Sequence, residues 1–326
     1  MSCKRMTAAA CLPFLLACAT PALGDNIRAT ANFTGPLLTP NAANLPRGLT
    51  NIEPYLVYQS STGTYDGQGR KQDKISDSHQ WQLLVPVIYG VTDRLQAQLS
   101  LGMTHAYAGG THTDGARLTD TSAKLQYMLL APNTDGTRPA ISVAFAHRFP
   151  TGAYDRLDAN PLNGTGNGAS INTLALSTQH YLWLPDGRPL RWRSNLSYSL
   201  PPSSVGITGK SVYGTPADFR GHVRLGRSLG ISLSAEYSID EHWVLALDLA
   251  YDHESSAHLH GMQGQSPVMA QVVDRRDPAR SVYSVAPAVE YNVNRNLGVI
   301  AGTQFSVAGR HNDAFVAPQV AVNMVF

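Results

Sequence analysis

Eight charged residues carry the chemistry this chain could do: Lys124, Arg148, Arg191 and Arg193 in one stretch, Glu236, Asp248 and Glu290 in a later one, and Glu53 ahead of both. Several stand between apolar neighbours, as in Leu190-Arg191-Trp192-Arg193, Leu247-Asp248-Leu249 and Val289-Glu290-Tyr291. A charge framed in this way sits on the polar face of a segment whose other face is greasy. If the segments close into a ring, the four cations and the later acids fall on roughly opposing walls. Opposed acid and base across a narrow lumen set up a transverse field that orients dipolar solutes and selects ions. The competing expectation is that Arg191 or Arg193 pairs with Glu236, since both lie near the periplasmic ends of neighbouring strands and buried charges require a partner. Amides surround these charges on the same face: Gln82, Gln96, Gln98, Gln126, Gln179, Asn195, Gln304, Gln319 and Asn323.

Catalytic constellations are scarce. A lipid-modifying enzyme needs a serine or aspartate activated by an oriented histidine. His105, His112, His147, His180 and His222 have no serine partner in a recognisable motif, and His147 and His180 fall on the outward parity. His253, His258 and His260 crowd one polar stretch, but their spacing matches no closed zinc site. The run Gly164-Thr165-Gly166-Asn167-Gly168 opens no helix and reads as a loop, not a phosphate cradle. No catalytic residue, metal or cofactor is expected from these patterns.

The elements that must position the charged residues have period two. In Leu95-Gln96-Ala97-Gln98-Leu99-Ser100-Leu101-Gly102-Met103-Thr104 the odd positions are apolar and the even ones polar or glycine; 190–200 and 243–252 repeat the pattern. Such runs are about 10 residues long, enough for a tilted strand to cross a bilayer, whereas ordinary strands average about 5–6. About twelve occur, near 50–59, 79–90, 95–107, 120–130, 140–149, 170–183, 190–200, 228–238, 243–252, 281–292, 297–307 and 314–326. Compact turns follow the even segments (Gly90–Arg94, Pro132–Gly136, Pro185–Gly187, Ile239–His242 and Val293–Asn296). Mostly longer polar connections follow the odd ones. Short periplasmic turns and long outer loops are the bacterial barrel pattern, and an even strand count returns both termini to the periplasm. Tyr89, Tyr237, Trp243, Tyr291 and Phe326 mark one set of strand ends. Tyr58, Trp81, Tyr198, Tyr251, Tyr283 and Phe305 lie toward the other, as two interfacial girdles would.

The chain has 326 residues, of which only 15% are charged. Residues 1–24 read as a signal peptide: a basic Lys4-Arg5, a short apolar core, and a cleavage site at Ala22-Leu23-Gly24. Leu15-Leu16-Ala17-Cys18 loosely resembles a competing lipoprotein box. Cys3, Cys11 and Cys18 all fall within the signal. Loss of Lys4 and Arg5 takes 25 basic residues to 23, against 23 acids, so the mature formal charge is zero and nothing points to nucleic acid. Residues 25–47 are rich in Pro, Asn and Ala without periodicity. They read either as a periplasmic segment or, from Phe33 to Pro46, as a plug folded into the lumen; residues 48–326 read as the barrel.

The last segment alternates Val316, Pro318, Val320, Val322, Met324 and Phe326 with Ala317, Gln319, Ala321, Asn323 and Val325. This stripe ending in phenylalanine resembles the signal read by the barrel assembly machinery. Gly35-Pro36-Leu37-Leu38-Thr39-Pro40-Asn41-Ala42-Ala43-Asn44-Leu45-Pro46, Ile52-Glu53-Pro54-Tyr55, Phe149-Pro150-Thr151-Gly152, Ala235-Glu236-Tyr237-Ser238, Trp243–Asp248 and Val316–Phe326 together resemble the family named for the meta-pathway of phenol degradation, a set of outer-membrane transporters. The resemblance implies a barrel and passage of small organic or aromatic compounds, without fixing a substrate. The reading is therefore an all-β, antiparallel transmembrane barrel of about twelve strands in the bacterial outer membrane. It is surrounded by membrane lipid and passes small-molecule solutes, with Glu53, Lys124, Arg148, Arg191, Arg193, Glu236, Asp248 and Glu290 lining the pore. The alternatives are a lipid-modifying enzyme and a structural or adhesive barrel with a filled lumen.

Overall fold

The computed structural model describes residues 30–74, 76–264 and 270–326. The signal peptide, its cleavage site and residues 25–29 lie outside the described residues. Twelve antiparallel strands form the wall: β1 (Tyr55–Tyr65, led by a short piece Thr50–Ile52), β2 (Ser78–Thr92), β3 (Leu95–Ala108), β4 (Thr121–Leu130), β5 (Ala140–Phe149), β6 (Ile171–Trp183), β7 (Pro189–Leu200), β8 (Ser228–Ser238), β9 (Trp243–Glu254), β10 (Arg280–Asn292), β11 (Leu297–Arg310) and β12 (Asn312–Val325). Each strand pairs with the next, and β12 returns to β1 with Tyr55 opposite Ala321, so the sheet closes without an edge. All twelve coincide with the alternating segments of the sequence.

Closure explains the alternation. A membrane barrel must satisfy every backbone group between strands and turn apolar side chains outward into lipid. On β9, Leu247 is 43% exposed while its neighbour Asp248 is fully buried inside the barrel. The outward set continues around the ring through Leu99, Leu125, Phe145, Leu174, Leu196 and Leu233. Aromatic pairs border this belt. Trp243 and Tyr291 meet at 4.7 Å at the short-turn end, and Tyr58–Trp81 (4.8 Å) and Tyr251–Tyr283 (4.6 Å) meet toward the opposite end.

The short turns repeat one device, a side-chain oxygen that accepts the N–H groups a strand ladder would otherwise use. Asp240 Oδ1 accepts from His242 and Trp243 at 2.7 Å each, and Asn294 Oδ1 from Asn296 and Leu297 at 2.8 and 2.9 Å. At the other end β11 turns into β12 through His311 alone, in the left-handed region at φ 48°.

The connections β7–β8 and β9–β10, read from sequence as polar loops, depart from that expectation. Val205–Thr208, Arg220–Arg224, Ala257–Gln263 and Gln271–Asp277 pair antiparallel into a separate four-stranded sheet at the long-loop end. One face buries Val205, Ile207, Val223 and Leu259 together with Phe219, Ala169 and Ile171, the first residue of β6. This small core ties the cap sheet to the barrel rim.

Candidate functional site

The lumen of the lower barrel is built around one carboxylate. Register places Arg191 of β7 directly opposite Glu236 of β8. Arg191 Nε donates to Glu236 Oε2 at 2.7 Å, and its Nη2 donates to Oε1. Arg193, two residues along on the same face, brings its Nε within 3.1 Å of the same Oε2. All three side chains are buried, and Glu236 is wholly so. The expectation that these arginines and Glu236 face one another from opposing walls is therefore corrected. They are cross-strand neighbours, since β8 follows β7 in the ring, and taking such charges out of water is tolerable only when they are paired.

Asp248 and Glu290 continue this wall on β9 and β10, and here the partner is the chain's own leading segment. Thr34 N–H donates to Glu290 Oε2 at 2.7 Å, and Thr34 Oγ1 bonds Asn292 Oδ1 at 2.9 Å. Asp248 Oδ2 accepts the N–H groups of Leu37 (2.9 Å) and Leu38 (3.3 Å). Its Oδ1 accepts the N–H (3.1 Å) and hydroxyl (2.8 Å) of Thr39. Pro36 and Pro40 bracket this stretch and deny it a helix or ladder, so its N–H groups find side chains instead. Phe33 lies under the Arg191 guanidinium, 4.1 Å from its centre, and edge-on to Tyr181 at 5.6 Å.

The segment then crosses to the other side. Gln126 of β4 donates to Asn41 O and Asn44 Oδ1 at 3.0 Å, and Gln96 of β3 accepts Leu45 N–H at 3.0 Å. Gly48 N–H then donates to the carbonyl of Gly90 on β2 at 2.8 Å, and Gly90 N–H donates to Leu49 O at 2.9 Å. Gly90 is required there, for a Cβ would stand 2.1 Å from Pro46 O. Residues 34–48 thus run as a strap from β10 through β9, β7, β4 and β3 to β2, near the short-turn end.

The strap covers the charged wall and leaves the opposite one open. A cavity of about 410 Å³ lies between it and the wall around β1–β4, lined by Gln82, Gln96, Gln98, Gln319 and Asn323 with Glu53, Lys124 and Arg193. Glu53 sits in the break between the two pieces of β1, where Asn323 Nδ2 donates to it at 3.4 Å. Lys124 is half-buried on β4, and Arg148 is exposed at the long-loop end of β5. Of the eight charged residues singled out in the sequence, the structure joins Arg191, Arg193 and Glu236, ties Asp248 and Glu290 to the strap, and leaves Glu53, Lys124 and Arg148 beside open space. Sequence reasoning missed Phe33, Thr34 and Thr39 as individual partners of this wall. A backbone donor leaves no trace in residue type, although the paired prolines signal an unladdered stretch.

The histidines are dispersed. His105 bonds Thr113 Oγ1 at 2.7 Å and His147 bonds Asn172 Oδ1 at 2.7 Å; among the described residues no histidine bonds a serine. The cluster near 253–260 separates, His253 lying on β9 and His258 and His260 on the cap sheet. There they bond Asp274 Oδ1 and Oδ2 at 2.7 and 3.1 Å. These bonds, His258 first, hold the Asp274 carboxyl below the usual aspartate range.

No family model and no curated protein matches the chain. Solved structures do. An outer membrane channel from Pseudomonas putida F1 overlays with TM-score 0.63 at 14% identity, covering 88% of this chain and 98% of that one. The NanC porin overlays with TM-score 0.43 at 8% identity (84% and 98% covered). The translocator domain of autotransporter NalP from Neisseria meningitidis overlays with TM-score 0.41 at 11% identity (86% and 89% covered). The likeness to the Pseudomonas channel shows that the fold is an outer-membrane β-barrel.

Proposed function

We propose that this protein is an outer-membrane channel for small organic solutes, closed at its periplasmic mouth by the strap formed by residues 34–48. The observation that carries the reading is the strap's one-sided seat: it occupies the charged wall and leaves a cavity of about 410 Å³ along the amide wall. A barrel whose lumen were simply filled would have no need of a polar passage alongside its filling. The apolar belt and aromatic girdles support seating in a bilayer, and the short turns support a periplasmic placement of that end and of both termini. The residue pattern shared with the phenol-degradation transporters, together with the mixed polar and apolar lining, supports small organic compounds as the solutes. Phe326, exposed at the end of β12 and bonded through its N–H to Thr50 O at 2.8 Å, would be the element the assembly machinery reads. Its deletion is expected to lower the yield of folded barrel, seen as heat-modifiable gel mobility, without impairing export.

The deciding experiment is planar-bilayer conductance of the mature protein beside a variant lacking residues 30–45. The expected outcome is small or intermittent current in the former and steady, larger current in the latter. Absence of current in both, with folding verified, would refute the channel and leave a filled structural barrel.

A further inference from the structure

We infer that the long-loop half of the lumen is a binding path for small organic carboxylates, entered at Arg148 and continued by Lys124; this rests on the reading of the barrel as a channel. The starting point is what happens to the lumen's acids. Glu236 is paired with Arg191 and Arg193, Asp248 accepts three N–H groups and a hydroxyl, and Glu290 accepts Thr34 N–H. Among the described residues, neither Arg148 nor Lys124 has a carboxylate within ion-pair distance. Glu53, which lines the same cavity as Lys124, bonds Asn323. The cations left without an ion-pair partner in the upper lumen are therefore Arg148 and Lys124, with Asp252 facing Arg148 across the mouth cavity.

The two cations are placed in sequence along the passage. Arg148 lies opposite Ser122 and Lys124 opposite Ala146, so the two are diagonal neighbours on one face, with positions about 7–8 Å apart. Two cavities of about 420 and 470 Å³ meet at the long-loop mouth and share Arg148, Ser228, Glu254 and Arg280. Glu254 and Arg280 satisfy each other at 2.6 Å, which leaves Arg148 as the available charge of that group. One cavity presents the hydroxyls of Ser197 and Ser199, with Asp252 on the far side; the other presents Ile171, Val212, Tyr213 and Leu225. Further in, a cavity of about 140 Å³ bounded by Ala144, Ala146 and Ala175 reaches Lys124, which it shares with the large cavity beside the strap. A guanidinium flanked by hydroxyls, with an apolar wall adjoining, fits a monoanion whose body is apolar. The planar guanidinium is the group that takes a carboxylate in two parallel hydrogen bonds.

The test is calorimetric titration of the full mature chain in detergent with benzoate and, in parallel, with benzyl alcohol, which has a similar body and no charge. Benzoate is expected to bind more tightly than the alcohol. Arg148→Gln should weaken benzoate about tenfold, the worth of one charge-assisted bond, and leave the alcohol unchanged. Arg148→Lys should keep part of the preference, and Arg94→Gln, an exposed arginine in the short turn between β2 and β3, should keep all of it. Where Arg148→Gln fails to fold, Ser199→Ala reads the same site through a few-fold loss. Equal binding of acid and alcohol, no benzoate binding, or a benzoate affinity indifferent to these substitutions would overturn the inference. Arg148-dependent binding without current would instead fell the channel reading and leave the site standing; current with Arg148-independent binding would do the reverse.

Discussion

Replacing Asp248 by Asn alters one atom of the lumen and four hydrogen bonds. Oδ1 keeps Thr39, but the new amide presents N–H groups to Leu37 and Leu38, which have nothing to accept them with. Two bonds to a charged acceptor are lost, each worth about 1.5–3 kcal/mol. Part of that returns, because a buried carboxylate no longer has to be kept from water. A net loosening of the strap by about 2–4 kcal/mol is the expected balance. Every 1.4 kcal/mol is tenfold in an equilibrium, so the released population should rise by roughly 30- to 700-fold. The barrel should be unaffected, since the bonds that Asp248's side chain makes run to the strap and not to neighbouring strands. Two readouts apply: single-channel open probability, and the rate at which a protease admitted from the short-turn side cuts between Thr34 and Leu45. Both should rise while heat-modifiable mobility stays constant. Unchanged open probability with unchanged cleavage would show that Asp248 does not hold the strap and that the mouth is closed by something else.

Three further outcomes follow from the geometry. Leu247→Arg, one residue away but facing lipid, should cost roughly 2–4 kcal/mol in bilayer refolding and leave the strap's protection alone, the inverse of Asp248→Asn. Neutralising Arg191 and Arg193 together strands the buried Glu236 and should cost about 3–5 kcal/mol in the same assay, most of it recovered by adding Glu236→Gln; additive losses instead would mean the three do not act as one cluster. Because the Asp274 carboxyl is held below its ordinary value of 3.8, its contribution to the cap sheet is complete above that pH and lost as pH falls through the lower folded value. Amide protection factors across residues 257–263 and 271–277 should therefore fall on acidification below that point in the native chain, and Asp274→Asn should show no such acid limb.

The wall was readable because a bilayer punishes any lapse in alternation. Leu247 and Asp248 cannot exchange places, so parity assigned from residue type survived folding across all twelve strands. The cap sheet was not readable for the opposite reason. Val205-Gly206-Ile207-Thr208 and Arg220–Arg224 are short, interrupted by glycine and charge, and bury their apolar residues against one another and Phe219. No lipid face repeats there. The Arg191–Glu236 contact was legible as one of two alternatives. The sequence already placed the two strands as neighbours; the choice depended on the register that sets Arg191 directly opposite Glu236, on which periodicity is silent. The strap's path was hidden more deeply. Its partners are backbone N–H groups, present at Leu37 or Thr39 as at any non-proline residue, and only the carboxylates awaiting them gave a sign.

The strap's far end is continuous with β1 and pinned at Gly48 and Gly90, and under the proposed closure this governs how the mouth would behave once open. Thr39, freed from Asp248, stays tethered by nine residues to Gly48, a flexible reach of roughly 17 Å. A blocker on so short a leash returns to its seat at an effective concentration on the order of millimolar, whatever the abundance of the protein in the membrane. Reclosure is accordingly a first-order property of each molecule that dilution cannot alter. A solute that holds the passage open must do so by outcompeting a ligand that never leaves.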